Sequence, residues 1–333
     1  MNSFERYTGM IKGGEIDFVP RIPILMQYAE EYIGSDYEAF ASDYRILVEA
    51  NRRCAKDFGF DQLSAISDPF RETQGFGSKI TYIKNGVPRC THPLENNNDL
   101  SILLHPDPLA SERMADRVKA IEEYKKLSGG EYSIMGWVEG PAAEAADLRG
   151  VTNFLMDTIE DTDYLTRLMD ICVNTGIDFA KAQVEAGADT IGIGDAIASQ
   201  ISWDTYKALI LPKEKLLVKE IQNTGAFVRL HICGNITHLL PGIDSLGVDI
   251  LDVDHMVDIV KVRNIVGSKV VISGNINPVE GILRGTPGSI REYVNKSYKA
   301  VGNPFMVNAG CEIPSGTPVE NLKAFCEPVP YVK

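Results

Sequence analysis

The sequence predicts an α/β protein, a single (β/α)8 TIM barrel over residues 1–333 with an insertion between its second and third strands. Three observations predict it. Eight short runs rich in Ile, Val and Leu recur along the chain. Stretches with helical periodicity separate them, which implies parallel pairing of the strands. The runs are continuously apolar, as strands buried on both faces are. A chain of 333 residues also exceeds the roughly 250 typical of this barrel, which leaves room for an insertion. Pattern alone fits an open doubly wound sheet as well.

In chain order, the expected strands are Arg21–Met26, Gln62–Ser67, Ser133–Val138, Thr190–Gly194, Phe227–His231, Asp249–Asp252, Val270–Ser273 and Pro304–Asn308. The expected helices are Ser42–Asp57, Asp161–Ala186, Trp203–Asn223 with a kink at Pro212, Val257–Val266, Gly288–Ala300 and Pro318–Phe325. From about Phe70 to Lys126 the rhythm breaks. Inside that stretch Ile80–Lys84 and Arg89–His92 read as a hairpin around Asn85–Gly86. No linker, repeat or low-complexity tract divides the chain.

An apolar fraction of 44% with 24% charged residues describes an ordinary globular enzyme. The net charge of −13 argues against a nucleic-acid surface, which needs clustered Lys and Arg. No apolar run is long enough to span a membrane, and the opening MNSFERYTGMIKGGE lacks the apolar core of a secretory signal. The expected compartment is the cytoplasm. Six dispersed cysteines do not suggest a disulfide framework. Whether the chain forms a homo-oligomer is left open.

The chemistry concentrates in two places. His231-Ile-Cys233 closes an apolar strand, and alternation along a strand puts the two side chains on one side. Cys311 follows the last strand, in Asn308-Ala-Gly-Cys311-Glu-Ile-Pro314. In a barrel both strand ends open onto the C-terminal face, where active sites of this fold lie. One imidazole and two thiolates suit Zn²⁺ and leave a fourth position open, as a catalytic zinc requires. Glu139 and Asp195 are candidates to fill that position in the resting enzyme. A lone His-x-Cys is a weak signal, since a buried Cys usually acts as a small apolar residue. Cys311 at a second strand end strengthens it.

The motif His231-x-Cys233-Gly-Asn, followed by Ala309-Gly-Cys311-Glu-Ile-Pro, resembles the zinc motif of the methyltransferase branch of the uroporphyrinogen decarboxylase superfamily. The resemblance covers nearly the whole chain and includes Glu139-Gly-Pro141, Asp147-Leu-Arg149-Gly150, Gly194-Asp195 and Gly274-Asn-Ile-Asn-Pro278. It implies a barrel that uses zinc to move a methyl group to or from the cobalt of a corrinoid on a separate protein. No Asp-x-His-x-x-Gly corrinoid motif occurs in the chain, so the partner protein supplies that cofactor. The decarboxylases themselves carry an Arg-Gln-Ala-Gly-Arg-Tyr stretch after the first strand; here it reads Met26-Gln-Tyr-Ala-Glu-Glu31, without either arginine. Their tyrosine is Asp147 here and their C-terminal histidine is Cys311, whereas Asp68 matches. A porphyrinogen substrate is therefore not expected.

Two directions are chemically open. A small methyl donor, with an aryl methyl ether favoured, gives its methyl to cob(I)alamin while zinc stabilises the leaving oxyanion. In the alternative, of the coenzyme M type, a thiol accepts the methyl from methylcobalamin. The run Val138–Gly150 and Gly194-Asp-Ala-Ile-Ala-Ser199 favour the ether direction on resemblance to bacterial O-demethylase methyltransferases. Glu139 and Asp195 are the candidate catalytic residues. Asn275 and Asp147 are candidates to bind cofactor or substrate, and Tyr28, Phe70, Met135 and Trp137 to line an apolar pocket.

Overall fold

A computed structural model describes residues 1–333. It is an α/β fold in which seven parallel strands curl into one sheet, β1 (Gln62–Ser64), β4 (Ser133–Glu139), β5 (Thr190–Gly194), β6 (Phe227–His231), β7 (Ile250–Val253), β8 (Val271–Gly274) and β9 (Phe305–Met306), neighbours in that order. A separate antiparallel pair, β2 (Ile80–Ile83) and β3 (Gly86–Cys90), forms the expected hairpin. Its turn is Lys84–Asn85, one residue earlier than Asn85–Gly86, because Ile83 pairs directly with Gly86.

Seven of the eight expected strands are present. The first, Arg21–Met26, is not a regular strand: it makes a single parallel bridge, Arg21 to Val307. Pro20 and Pro23 lack the N–H groups that a ladder needs. The segment still touches both sheet edges. Asp61 N donates to Arg21 O at 2.8 Å, and Ile22 N donates to Val307 O at 2.9 Å.

Local chemistry sets the helix ends. Asp43 caps the helix Tyr44–Phe58 through its side chain, and Gly59 ends it in the left-handed conformation at φ 73°. Asp161 caps Thr162–Ala186 in the same way. The kink expected at Pro212 is a π-helical turn over Tyr206–Ile210, just before the helix Leu211–Gln222 that carries Pro212 near its start.

Alternation divides each strand between two environments. On β4, Ile134 and Val138 join the large core shared with the outer helices. Met135 and Trp137 face the other way and form a small cluster with Ile24 and Ile66. Arg229 and His231 on β6 share that second face, and Arg229 reaches both Gln62 Oε1 at 2.6 Å and Asp252. Register then builds a row across the sheet at this level: Glu139 pairs with Gly194, Gly194 with His231, His231 with Asp252, and Asp252 with Ser273. All five lie at or next to the C-terminal ends of their strands.

Candidate metal centre

The structure brings the three sequence-predicted ligands together. His231 Nε2 is 3.0 Å from Cys233 Sγ, Cys233 Sγ is 3.5 Å from Cys311 Sγ, and Cys311 Sγ is 3.8 Å from His231 Nε2. They are the one group of three or more His, Cys, Asp or Glu residues whose ligand atoms converge within 4.8 Å. His231 reaches the site because it ends β6. Cys233 follows in the turn, where Gly234 at φ 91° lets the chain leave the sheet. Cys311 follows β9 in a loop that hydrogen-bonds back through Gly310 N to Ile276 O.

The donor set fits zinc. A tetrahedral zinc with bonds of about 2.3 Å to sulfur and 2.0–2.1 Å to nitrogen has S–S and S–N edges of roughly 3.8 and 3.6 Å. The three separations here span 3.0–3.8 Å. The thiols are already polarised. The hydrogen bond from Cys233 pulls Cys311 down to about 4, against the cost of burial and with help from His231. Cys233 moves up for the same reason, since it keeps the shared proton.

Sequence reasoning missed the group behind the histidine. Asp252 Oδ2 lies 3.3 Å from His231 Nδ1. Arg229 Nε donates to both oxygens of Asp252 at 2.9 Å, and Asn308 Nδ2 approaches Oδ1 at 3.4 Å. A signal was available: Asp252 ends the strand after the His-x-Cys strand, and equal register places the two side by side.

The other candidates fall in different places. Glu139 is buried and points across Gly194, where a Cβ would meet its Oε2 at 3.2 Å and the Trp137 indole at 2.9 Å. Its Oε1 accepts from Arg71 Nη2 at 2.6 Å and from Trp137 Nε1 at 3.1 Å. It therefore sits beside the centre but outside the ligand triangle. Asp195, expected as a catalytic residue or fourth ligand, is fully buried and accepts from Ala143 N at 2.7 Å, holding the start of the helix Pro141–Arg149. Asn275 ties the loop after β7 to the helix Pro287–Val301: Nδ2 donates to Val257 O at 2.8 Å, and Oδ1 accepts from Tyr293 at 3.0 Å. Asp147 is half-buried, and burial followed by nearby Glu72 pushes its carboxyl up to about 8. Met135 and Trp137 line the interior beneath the site, whereas Tyr28 packs against Tyr32 and Phe58 instead.

Comparison with known proteins agrees with this architecture. The uroporphyrinogen decarboxylase (URO-D) family profile matches residues 2–330. The chain is 31% identical over 274 residues to the methylcobamide:CoM methyltransferase MtbA of Methanosarcina mazei, covering 81% of this chain and 79% of that one. It is 30% identical over 327 residues to the methylcobamide:CoM methyltransferase MtaA of Methanosarcina barkeri, covering 96% and 95%. A solved methyltransferase structure from Methanosarcina mazei superposes with a TM-score of 0.90 at 25% identity, over 98% of this chain and 97% of that one. The chain belongs to the uroporphyrinogen decarboxylase family, in the branch that holds the methylcobamide:CoM methyltransferases.

Proposed function

We propose that this protein is a zinc-dependent methylcobamide:thiol methyltransferase, taking a methyl group from the corrinoid of a separate carrier protein and delivering it to a small thiol. The observation that carries the reading is the inward-facing triangle of His231, Cys233 and Cys311 in a chain whose relatives are named for this transfer. The aryl methyl ether direction gives way to it, because those names place a thiol on the acceptor side. In the same reading, residues 1–333 are one eight-sided barrel whose eighth side is the segment around Arg21, and the β2–β3 hairpin belongs to an insertion.

Zinc, when bound, supplies the Lewis acidity that keeps an acceptor sulfur ionised at neutral pH. The chain does the rest. Asp252 Oδ2 stands 3.3 Å from His231 Nδ1, so its charge favours a proton on Nδ1 and leaves Nε2 to the metal. Cys311 already favours its thiolate, and Cys233, which keeps the shared proton, would release it on binding the metal. Trp137, 6.3 Å from the His231 ring, floors the site with an apolar face and excludes water from below. The acceptor thiolate attacks the methyl carbon: the S–C bond forms, the Co–C bond breaks, and its electron pair stays on cobalt, leaving cob(I)alamin on the carrier. No helix is long and apolar enough to cross a membrane.

The test mixes zinc-loaded protein with methylcobalamin and homocysteine, 2-mercaptoethanesulfonate or 2-mercaptoethanol, following the cobalt spectrum and the methylated thiol by mass. Methylation of a thiol, lost together with zinc in Cys311→Ser, supports the reading. Methylation of cob(I)alamin by an aryl ether, with no thiol methylated, overturns it.

A further inference from the structure

Two of the six cysteines face each other across the site. Cys233 Sγ and Cys311 Sγ are 3.5 Å apart, and both residues are half-buried. Cys54, Cys172 and Cys326 are exposed by 3% or less. Cys90, the remaining half-buried cysteine, has the His92 ring beside its sulfur, with Nδ1 at 3.9 Å. A disulfide has an S–S bond of about 2.05 Å, so the facing pair would have to close by roughly 1.5 Å. Both belong to loops and not to the sheet. Cys233 lies beyond the end of β6, with Gly234 after it at φ 91°, and Cys311 lies beyond β9, on the way to the helix Val319–Phe325. Modest rotations about the two Cα–Cβ bonds bring the sulfurs together with the strand register intact.

His231 has no such freedom. It ends β6, in register with Gly194 on one side and Asp252 on the other, and Asp252 also stands at its Nδ1. Joining the two sulfurs therefore removes two of the three ligands and leaves one fixed imidazole, where a catalytic zinc takes three protein ligands. A thiolate binds metal and a disulfide does not, so the bond and the metal exclude each other.

The acceptor's own chemistry supplies the oxidant. A thiol that reaches the open metal position through the barrel mouth has a disulfide as its oxidised form, and that disulfide enters by the same route.

We propose that Cys233 and Cys311 are a redox-sensitive pair: a low-molecular-weight disulfide of the acceptor's class oxidises them to a reversible protein disulfide, and the metal is released. First, one cysteine sulfur attacks the external disulfide. A mixed disulfide forms, the external S–S bond breaks, and one thiolate leaves. Then the other cysteine sulfur attacks the protein sulfur of the mixed disulfide. The Cys233–Cys311 bond forms, the mixed bond breaks, and the second thiolate leaves. Two cysteine sulfurs are oxidised and one external disulfide is reduced to two thiols, which take their protons from water. Two molecules of acceptor thiol reverse the exchange. The choice of oxidant rests on the thiol-acceptor reading and deepens it, since the metal ligands then sense the redox state of the substrate they serve.

The test incubates zinc-loaded, full-length protein with bis(2-hydroxyethyl) disulfide and 2-mercaptoethanol in varied proportion, at fixed free zinc and without corrinoid. Zinc content, intact mass and a peptide map are read after desalting. With the disulfide alone, zinc is expected to be lost in full, and the chain to lose two hydrogens as the peptides of Cys233 and Cys311 become cross-linked. At constant disulfide, raising the thiol about ten-fold should raise the ratio of zinc-bound to oxidised protein about a hundred-fold, because two thiols are consumed per protein disulfide. Cys233→Ser and Cys311→Ser should each stop at one mixed disulfide with no cross-link; if either fails to fold, the wild-type peptide map carries the test. Zinc retained at a large excess of disulfide, or oxidation that ends in mixed disulfides or in a cross-link to Cys90, overturns the proposal. Zinc released by the Cys233–Cys311 bond in a protein that methylates no thiol would sink the methyltransferase reading and leave the redox pair standing.

Discussion

Asp252 Oδ2 stands 3.3 Å from His231 Nδ1, on the opposite edge of the ring from the two cysteines. Burial works against the Asp252 charge, but Arg229 and His231 outweigh it and hold its carboxyl below the usual range. The aspartate thus stays ionised at the back of the ring and directs Nε2 toward the thiols. A carboxylate in this position typically improves metal affinity by about 10- to 100-fold.

Replacing it should show that contribution. Asp252→Asn is expected to weaken zinc binding by about 10- to 100-fold, read by competition with a chromophoric chelator. The substitution also leaves Arg229 without its carboxylate, so the melting temperature should fall as well. Unchanged zinc affinity in a folded variant would show that the aspartate serves only Arg229.

Asp195 sorts a structural role from a chemical one. Its carboxylate accepts from Ala143 N at 2.7 Å and lies away from the ligand triangle. Asp195→Ala should therefore lower stability by about 0.5–2 kcal/mol, the range for losing a helix cap, while zinc content stays at one per chain. Loss of zinc from the folded variant would return Asp195 to the metal site.

Much of this site was legible because its key residues obey simple periodicities. His-x-Cys at the end of an apolar run states its own geometry, and Thr190–Gly194 and Phe227–His231 have the boundaries their apolar runs suggest. The partners were harder to see. Asp252 is recognisable only once β6 and β7 are set in register, since nothing local marks it as different from Asp254. Arg71 and Glu72 sit in a five-residue helix too short for any periodicity to register. For Asp195 the sequence does not choose, because a Gly-Asp pair at a strand end suits a site residue as well as a cap. The first strand was over-read: Arg21–Met26 has the right composition, but its prolines reduce it to one bridge.

Gly194 tests the packing between β4 and β6. A Cβ there would come within 2.9 Å of the Trp137 indole. Gly194→Ala should cost about 1–3 kcal/mol through overpacking. It should also change the fluorescence of Trp137, because the ring must move off Gly194 and with it the hydrogen bond to Glu139. Trp203→Phe in the background isolates that signal. An unaltered emission spectrum and melting temperature would mean that the ring has slack.

The acid limb of stability should belong to Asp68 and Arg113. Asp68 is buried, and Arg113 Nη1 donates to its Oδ1 at 2.6 Å. Burial raises its pKa, but Arg113, together with Arg71 and Ser67, more than offsets this and holds the carboxyl well below the usual range. A depressed folded-state value contributes stability that is fully present above the unfolded value of about 3.9 and is lost as pH falls through the folded one. Denaturant midpoints should therefore decline below about pH 4 with a slope that Asp68 steepens. Arg113→Met strands Asp68 as a buried charge and should cost about 3–5 kcal/mol at pH 7. As the pH falls, Asp68 can protonate in the variant, so the gap between wild type and variant should narrow. A gap that stays constant from pH 7 to pH 3 would assign the acid limb to other carboxylates.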